Sequence, residues 1–268
     1  MTRLRRAFDS PDTKRRYVRR LFSTIADRYD LITVLLSYGR DRLWKRELVD
    51  RAVWLLSAHG SQVFHKHGPP TAFSQPVAAL DLACGTGDIA FALSVRGASV
   101  IGLDITPRMV EIAREKGTRA DASGTFLVGD MMTLPFPDSR FDLVTTGYGL
   151  RNVPALDGAL REIHRVLRPG GCVLSLDFDR PTNPIVRTLY VGYLTVVGSV
   201  LGTILHGDPD TYRYISASLG RYVGARGVAA RLRDLEFQDV GYTPLFGGLM
   251  AVNYGRKRYS VCGSWTPS

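Results

Sequence analysis

The chain has 268 residues, 45% of them hydrophobic and 22% charged, with a mean hydropathy of −0.03. That supports one sizeable globular domain with additions and excludes wholesale disorder. Cys84, Cys172 and Cys262 stand far apart, which excludes a disulfide scaffold and a paired-cysteine zinc site and points to a reducing, cytoplasmic compartment.

Lysine and arginine total 35 against 25 acids, a net charge of +10, which permits an anionic membrane or a nucleic acid as partner. The excess gathers early, at Arg3, Arg5, Arg6, Lys14, Arg15, Arg16, Arg19 and Arg20. Tyr17, Leu21, Ile25 and Ala26 keep a helical spacing through the same segment, which favours a solvated or membrane-facing helix over a nucleic-acid arm. No signal peptide is expected. Residues 13–57 read as helices broken at Ser37–Gly39, forming an N-terminal helical cap at 1–57. Residues 58–76 read as a linker rich in His, Gly and Pro. Its His59, His65 and His67 lack carboxylate or thiolate company, so no metal is expected.

From Pro76 apolar runs alternate with helical stretches. The runs are 77–83, 99–105, 125–130, 141–147 and 171–178, with helices at 107–117 and 155–167. The second helix ends in Arg168-Pro169-Gly170-Gly171, read as a stop and a turn. Segments 237–245 and 249–257 read as a terminal hairpin. The fold class is α/β: a doubly wound, mostly parallel sheet with an antiparallel hairpin, spanning 77–258. An insertion at about 182–230 reads as a helical lid, because Thr188–Leu205 is uncharged but sits inside the sheet domain, where a membrane span would split the sheet. Such a lid could also rest on a membrane. The tail 259–268 reads as loose.

The first strand runs into Asp81-Leu82-Ala83-Cys84-Gly85-Thr86-Gly87-Asp88. Glycines there let the backbone turn tightly and approach a ligand at the carboxyl edge of the sheet. The glycine spacing also fits a dinucleotide loop. Asp81 and Asp88 would repel a pyrophosphate, whereas S-adenosyl-L-methionine carries an ammonium and a sulfonium and no phosphate. Asp104 with Ile105 ends the second strand, placed to accept from ribose hydroxyls. Asp130 ends the third, placed to accept from the adenine amino group, with Met131 as a soft contact for the purine.

These motifs resemble the class I methyltransferases and, more narrowly, the ubiquinone/menaquinone biosynthesis C-methyltransferases. Residues 21–46, 80–88, 129–142, 149–153 and 164–171 resemble that family's core, and Asp208–Ile215 its carboxyl-terminal signature. The resemblance covers about 15–257. It implies cofactor contacts at Thr86, Asp104, Asp130 and Met131 and at the position of Gly147; Asp81, Gly85, Gly87 and Ile105, read from the strand-end loops, complete the expected cofactor-binding set. At Gly147 the family usually has serine, before a run that starts with Phe or Tyr. Segment 176–181 also departs from the family pattern, at Asp177 and Asp179-Arg180. The implied reaction is methylation of a ring carbon of a reduced, prenylated quinone precursor. Arg151 is read as a catalytic cation or a structural anchor, and Asn152 as a helix cap. His206, Asp208 and Tyr212 near the lid are catalytic candidates, with His206 the plausible general base. His164 is expected at the surface. A homodimer is left open. The rival readings are a phenol O-methyltransferase of the same fold, a basic nucleic-acid-binding protein and an NAD-dependent oxidoreductase.

Overall fold

The computed structural model describes residues 3–57, 71–120, 123–181 and 183–259. Most of the expected linker, with His59, His65 and His67, and the tail from residue 260, with Cys262, lie outside the described residues. The chain opens with α1 (Arg3–Arg6), α2 (Pro11–Ile25), a 3-10 turn (Ala26–Arg28), α3 (Tyr29–Leu36) and α4 (Asp41–Ser57). Helix α2 starts two residues earlier than expected because Ser10 and Thr13 form a reciprocal capping box around Pro11. Its apolar face, Val18 to Ile25, packs on Tyr212 and Tyr214.

The sheet domain follows as β1 (Val77–Leu82), α5 (Asp88–Val95), β2 (Ala98–Asp104), α6 (Pro107–Ala120), β3 (Thr125–Val128), β4 (Phe141–Gly147), α7 (Leu156–Val166) and β5 (Leu167–Phe178). Next come α8 (Pro184–His206), α9 (Asp210–Arg221), α10 (Gly224–Asp234), β6 (Gln238–Leu245) and β7 (Met250–Arg256). Seven strands form one sheet in the order β3-β2-β1-β4-β5-β7-β6. The first five are parallel, and β7 inserts antiparallel between β5 and β6. Strand residues alternate between two cores, as the two-residue period of a pleated strand requires. Ala79, Val100 and Leu174 join α4 and α5 on one face. Leu80, Val144 and Val173 join α7 and α10 on the other.

Two expectations change. The Arg168–Gly171 segment is not a separate turn. The chain enters β5 directly at Leu167, and an irregularity in the β4–β5 register absorbs the extra residues with Gly170 at φ +83°. The lid is shorter than expected, since Val228 and Leu232 of α10 pack on the sheet side, leaving α8 and α9 outside it. The glycines of α8 have a packing role: a Cβ at Gly198 would lie 3.2 Å from Tyr212 Cβ, and one at Gly202 would lie 2.5 Å from the Asp208 carbonyl. Both let α9 lie close against α8. The opposite face of α8 is exposed, at Ile185, Leu189, Val196 and Ile204, and the helix is long and apolar enough to cross a membrane by length and composition.

Candidate active site

The strand order reverses between β1 and β4, and at such a switch point the carboxyl ends of the strands part to leave a crevice. The glycine loop after β1 holds Ala83 at φ +51°, Gly85 at +53° and Gly87 at +90°. A Cβ on Gly87 would also meet the Phe91 ring at 2.7 Å, so both conformation and space require glycine there. Asp104 fixes this loop: its carboxylate accepts from the Gly85 N–H at 2.9 Å and the Thr106 N–H at 2.8 Å. Burial raises its pKa, and those two N–H groups oppose the rise.

A cleft of about 700 Å³, counting space open to solvent, runs along these strand ends, bordered by Gly85, Asp104, Ile105, Asp130, Met131 and Gly147. Thr86 lines a smaller recess beside it. A Cβ at Gly147 would lie 2.6 Å from Ile89 Cδ1. A side chain at this position would require Ile89 to shift its terminal methyl. Asp130 accepts from the Met132 N–H at 2.8 Å and is ion-paired with Arg15, which reaches across from α2.

Gly87 and Asp81 border neither space. Asp81 is fully buried beneath the loop; Oδ1 accepts from the Thr145 hydroxyl at 2.8 Å and Oδ2 has no partner. Burial pushes its pKa up to about 7. Asp88 is neutralised by Lys45 at 2.9 Å and Lys116 at 3.2 Å, which hold its carboxyl below the usual range against burial. The expectation that Asp81 and Asp88 offer bare negative charge to the ligand is therefore corrected: one is covered, the other paired. The hydroxyl of Thr86 is likewise engaged, donating to Asp30 at 2.7 Å and accepting from Lys116 at 2.9 Å.

What the cleft wall offers a ligand is a set of acceptor residues, the carboxylates of Asp104 and Asp130, with Asn152 beside them. Hydroxyl and amino donors of a nucleoside match them, and a pyrophosphate would meet carboxylates instead. The cleft fits S-adenosyl-L-methionine. Asn152 does not cap a helix. Its Nδ2 donates to the Tyr148 carbonyl at 2.7 Å, while Ala155 is the N-cap of α7.

A second cavity, about 720 Å³, adjoins the first and shares Phe22, Tyr29 and Tyr148 with it. Its wall is aliphatic and aromatic, including Ile32, Trp44, Tyr190 and Tyr212, and Arg151 is the only charged side chain on it among the described residues. Arg151 is 6% exposed. Its Nε donates to Asp177 Oδ1 at 3.1 Å and its Nη1 to Ser218 Oγ at 3.2 Å, and the guanidinium lies over the Phe178 ring at 4.7 Å. Lys14 of α2 donates to the carbonyls of Arg151 at 3.0 Å and Val153 at 2.6 Å. Burial, followed by the Arg151 charge, lowers its pKa to about 8.

The other lid candidates separate. His206 and Asp208 border a different, outer groove with Arg16 and Arg20, so His206 is not positioned as a base for a ligand in either cavity. Tyr212 lies on the cavity wall but turns its hydroxyl outward, 2.9 Å from His206 Nε2. His164 is half-buried with its ring edge-on to Phe237, rather than at the surface.

Sequence reasoning passed over the residues that α2–α4 contribute. Tyr29 borders both cavities and the Thr86 recess. Asp41 accepts from the Tyr148 hydroxyl at 2.7 Å and pairs with Lys45 at 2.6 Å. Their only signal was acids and a lysine interleaved with aromatics, Tyr29-Asp30 and Asp41 to Lys45.

The model of the ubiE/COQ5 methyltransferase family matches residues 10–257. A demethylmenaquinone methyltransferase of Thermus thermophilus is 36% identical, covering 88% of this chain and 99% of its own. A ubiquinone/menaquinone biosynthesis C-methyltransferase of Dinoroseobacter shibae is 34% identical over 92% of each. Among solved structures, a possible histamine N-methyltransferase of Thermotoga maritima superposes with a TM-score of 0.56 at 18% identity, covering 90% of this chain and 100% of its own. That likeness extends the fold to S-adenosyl-L-methionine-dependent methyltransferases. The motifs in order along the chain, the acceptor-lined cleft and these matches together make this chain an S-adenosyl-L-methionine-dependent methyltransferase that belongs to the ubiE/COQ5 methyltransferase family.

Proposed function

We propose that the enzyme methylates a ring carbon of a reduced, prenylated quinone precursor, a demethylmenaquinol or a methoxy-prenyl-benzoquinol. The observation that carries this reading is the aromatic cavity that adjoins the cofactor cleft, shares Tyr29 and Tyr148 with it, and holds the single charge of Arg151. An apolar cavity accepts a flat ring and part of a prenyl tail and keeps water away. The relatives' names point to the same substrate class.

S-adenosyl-L-methionine supplies an electrophilic methyl group on sulfonium. In our reading Asp104 and Asp130 hold its nucleoside end, and Gly85 lets the backbone come close. Arg151 stabilises a ring oxygen as it loses its proton, because a cation in a low-dielectric cavity favours the phenolate. The phenolate places electron density on the adjacent ring carbon; a sulfonium methyl held in line with that carbon would pass to it as the carbon–sulfur bond breaks, leaving S-adenosylhomocysteine, and loss of the ring proton to solvent would restore the aromatic ring. Tyr29 and the ring of Tyr148 hold the acceptor ring at the junction of the two cavities.

The exposed apolar face of α8, with Leu31 and Leu35 of α3, supports peripheral contact of a cytoplasmic enzyme with the membrane that dissolves such substrates. Arg187 stands exposed in the first turn of α8, suited to anionic headgroups. Flotation with anionic vesicles at low salt should carry the protein upward, and a Leu189→Glu variant should stay behind; equal behaviour of the two proteins excludes this face.

The decisive assay is transfer of labelled methyl from S-adenosyl-L-methionine to a reduced panel of prenyl naphthoquinols, methoxy-benzoquinols and simple phenols, with product position read by mass spectrometry. A ring-carbon product from one quinol is expected. An oxygen-methylated phenol, or no transfer with intact cofactor binding, overturns the proposal.

A further inference from the structure

Tyr148 follows Gly147 at the end of β4 with φ +60°, a backbone conformation that L-residues with bulky side chains rarely adopt. Its N–H donates to the Leu176 carbonyl at 2.7 Å, so the neighbouring strand holds it there. The residue is 7% exposed and lines both cavities and the Thr86 recess, where cofactor and substrate spaces meet. Behind it, Asp41 accepts the phenol proton at 2.7 Å. The other oxygen of Asp41 takes the Lys45 ammonium at 2.6 Å, and Lys45 continues to Asp88 at 2.9 Å. Asp41 lies on neither cavity wall. A ligand therefore meets the tyrosine and not the carboxylate.

A tyrosine hydroxyl has one proton and two lone pairs. Here the proton is committed to a carboxylate, in a short charge-assisted bond. Burial, followed by the Asp41 charge, raises the phenol pKa well above its ordinary value, so the hydroxyl keeps the proton it donates. A ligand group that reaches this hydroxyl from the cavities finds only its lone pairs. A hydroquinone hydroxyl can donate to them. A quinone carbonyl, itself an acceptor, would bring oxygen lone pairs against oxygen lone pairs and leave both unsatisfied.

We propose that the Asp41–Tyr148 pair sets the redox selectivity of this site, admitting the hydroquinone and disfavouring the quinone of the same ring. Tyr148 is a specificity-determining contact and Asp41 a positioning residue that acts through it. This rests on the quinol reading above. Its consequence is that oxidised substrate, which cannot form the phenolate nucleophile, does not occupy the cavity unproductively.

The test uses 2-geranyl-1,4-naphthoquinone, oxidised in air or reduced anaerobically, titrated against the full chain with S-adenosylhomocysteine bound. The wild type should bind the reduced ring at least about tenfold more tightly, the size expected from one satisfied against one frustrated hydrogen bond. Tyr148→Phe, a residue the family's own run accepts at this position, should bring the ratio near one by strengthening quinone binding relative to hydroquinone. Asp41→Asn should shift the ratio the same way, because an amide can donate to the tyrosine oxygen and turn its proton toward the cavity. S-adenosylhomocysteine affinity, measured in parallel, should stay within threefold in the Asp41→Asn protein, whose altered residue borders neither cavity. A wild type without preference, or a Tyr148→Phe protein with the wild-type ratio, overturns the proposal while leaving the quinol reading in place. A wild type that binds neither ring while holding the cofactor product removes the quinol reading itself.

Discussion

Replacing Asp177 by asparagine separates the structural and chemical roles of Arg151. The native carboxylate accepts from Arg151 Nε at 3.1 Å and the Phe178 N–H at 2.8 Å on one oxygen, and from the Arg151 N–H at 3.1 Å on the other. Arg151 and Asp177 side chains are 6% and 4% exposed. Asparagine keeps one acceptor oxygen but turns a donor toward one of these N–H groups and leaves the guanidinium without a counter-charge. Breaking one side of a buried pair costs about 3–5 kcal/mol. For a chain of this length each kcal/mol moves Tm by about 2 °C, so thermal unfolding should shift down by about 6–10 °C. The double variant Arg151→Met, Asp177→Asn should recover at least half of that loss, because replacing both charges removes the desolvation penalty along with the attraction. Methyl transfer should stay low in the recovered double variant if Arg151 also acts on the substrate oxygen. An Asp177→Asn protein melting within 2 °C of wild type, or a double variant no more stable than the single one, would refute the reasoning.

Asp104→Ala removes the anchor of the glycine loop and the expected ribose acceptor together. Cofactor affinity by calorimetry should fall by about a hundredfold or more, at about 1.5–3 kcal/mol per charge-assisted bond, and an affinity within threefold of wild type sinks that assignment. His206→Ala should leave kcat within about twofold, since the imidazole lies in the outer groove; a hundredfold loss would restore it as a base. Asp81 has its pKa raised from 3.8 to about 7 by burial, so the native state binds a proton between those values that the unfolded chain does not. Its contribution to stability is therefore present below about pH 4 and lost as pH rises through about 7. Asp81→Asn should accordingly melt higher than wild type at pH 8 and about equal to it at pH 4; the same difference at both pH values would contradict this titration.

The sheet was legible because burial on both faces makes parallel strands read as apolar runs, and 77–83, 99–105 and 141–147 were such runs. The run at 125–130 likewise marked β3, but the extension of β5 back to Leu167 was not legible, because that boundary depends on pairing register with β4 rather than on local pattern. The cofactor cleft was legible at the strand ends, where Asp104, Asp130 and Gly85 fall at fixed places relative to the strands. What each acid meets was not. Asp81 and Asp88 look alike in the sequence, yet one is capped by Thr145 and buried, and the other is neutralised by Lys45 and Lys116. Both lysines arrive from other elements, α4 and α6. His206 was misplaced for the same reason: its helix was expected over the cavity, and α8 does border it through Tyr190, but the last turn of that helix points away.

The N-terminal helices explain why a glycine loop of general form can serve one particular chemistry. The strands alone supply acceptors for a nucleoside and a single cation, Arg151. The helices close the other side with Phe22, Tyr29, Ile32 and Trp44, and their charged residues reach the sheet domain at three places, Arg15 to Asp130, Lys45 to Asp88 and Asp30 to the Thr86 hydroxyl. Each of these contacts ties a wall of the aromatic cavity to a residue at the cofactor's edge. Movement of α2 to α4 would thus open both spaces together. The basic character of the early chain follows from the same arrangement: Lys14, Arg15 and Lys45 are needed where they meet carbonyls and carboxylates of the sheet domain, while Arg16, Arg19 and Arg20 take the outward face of α2.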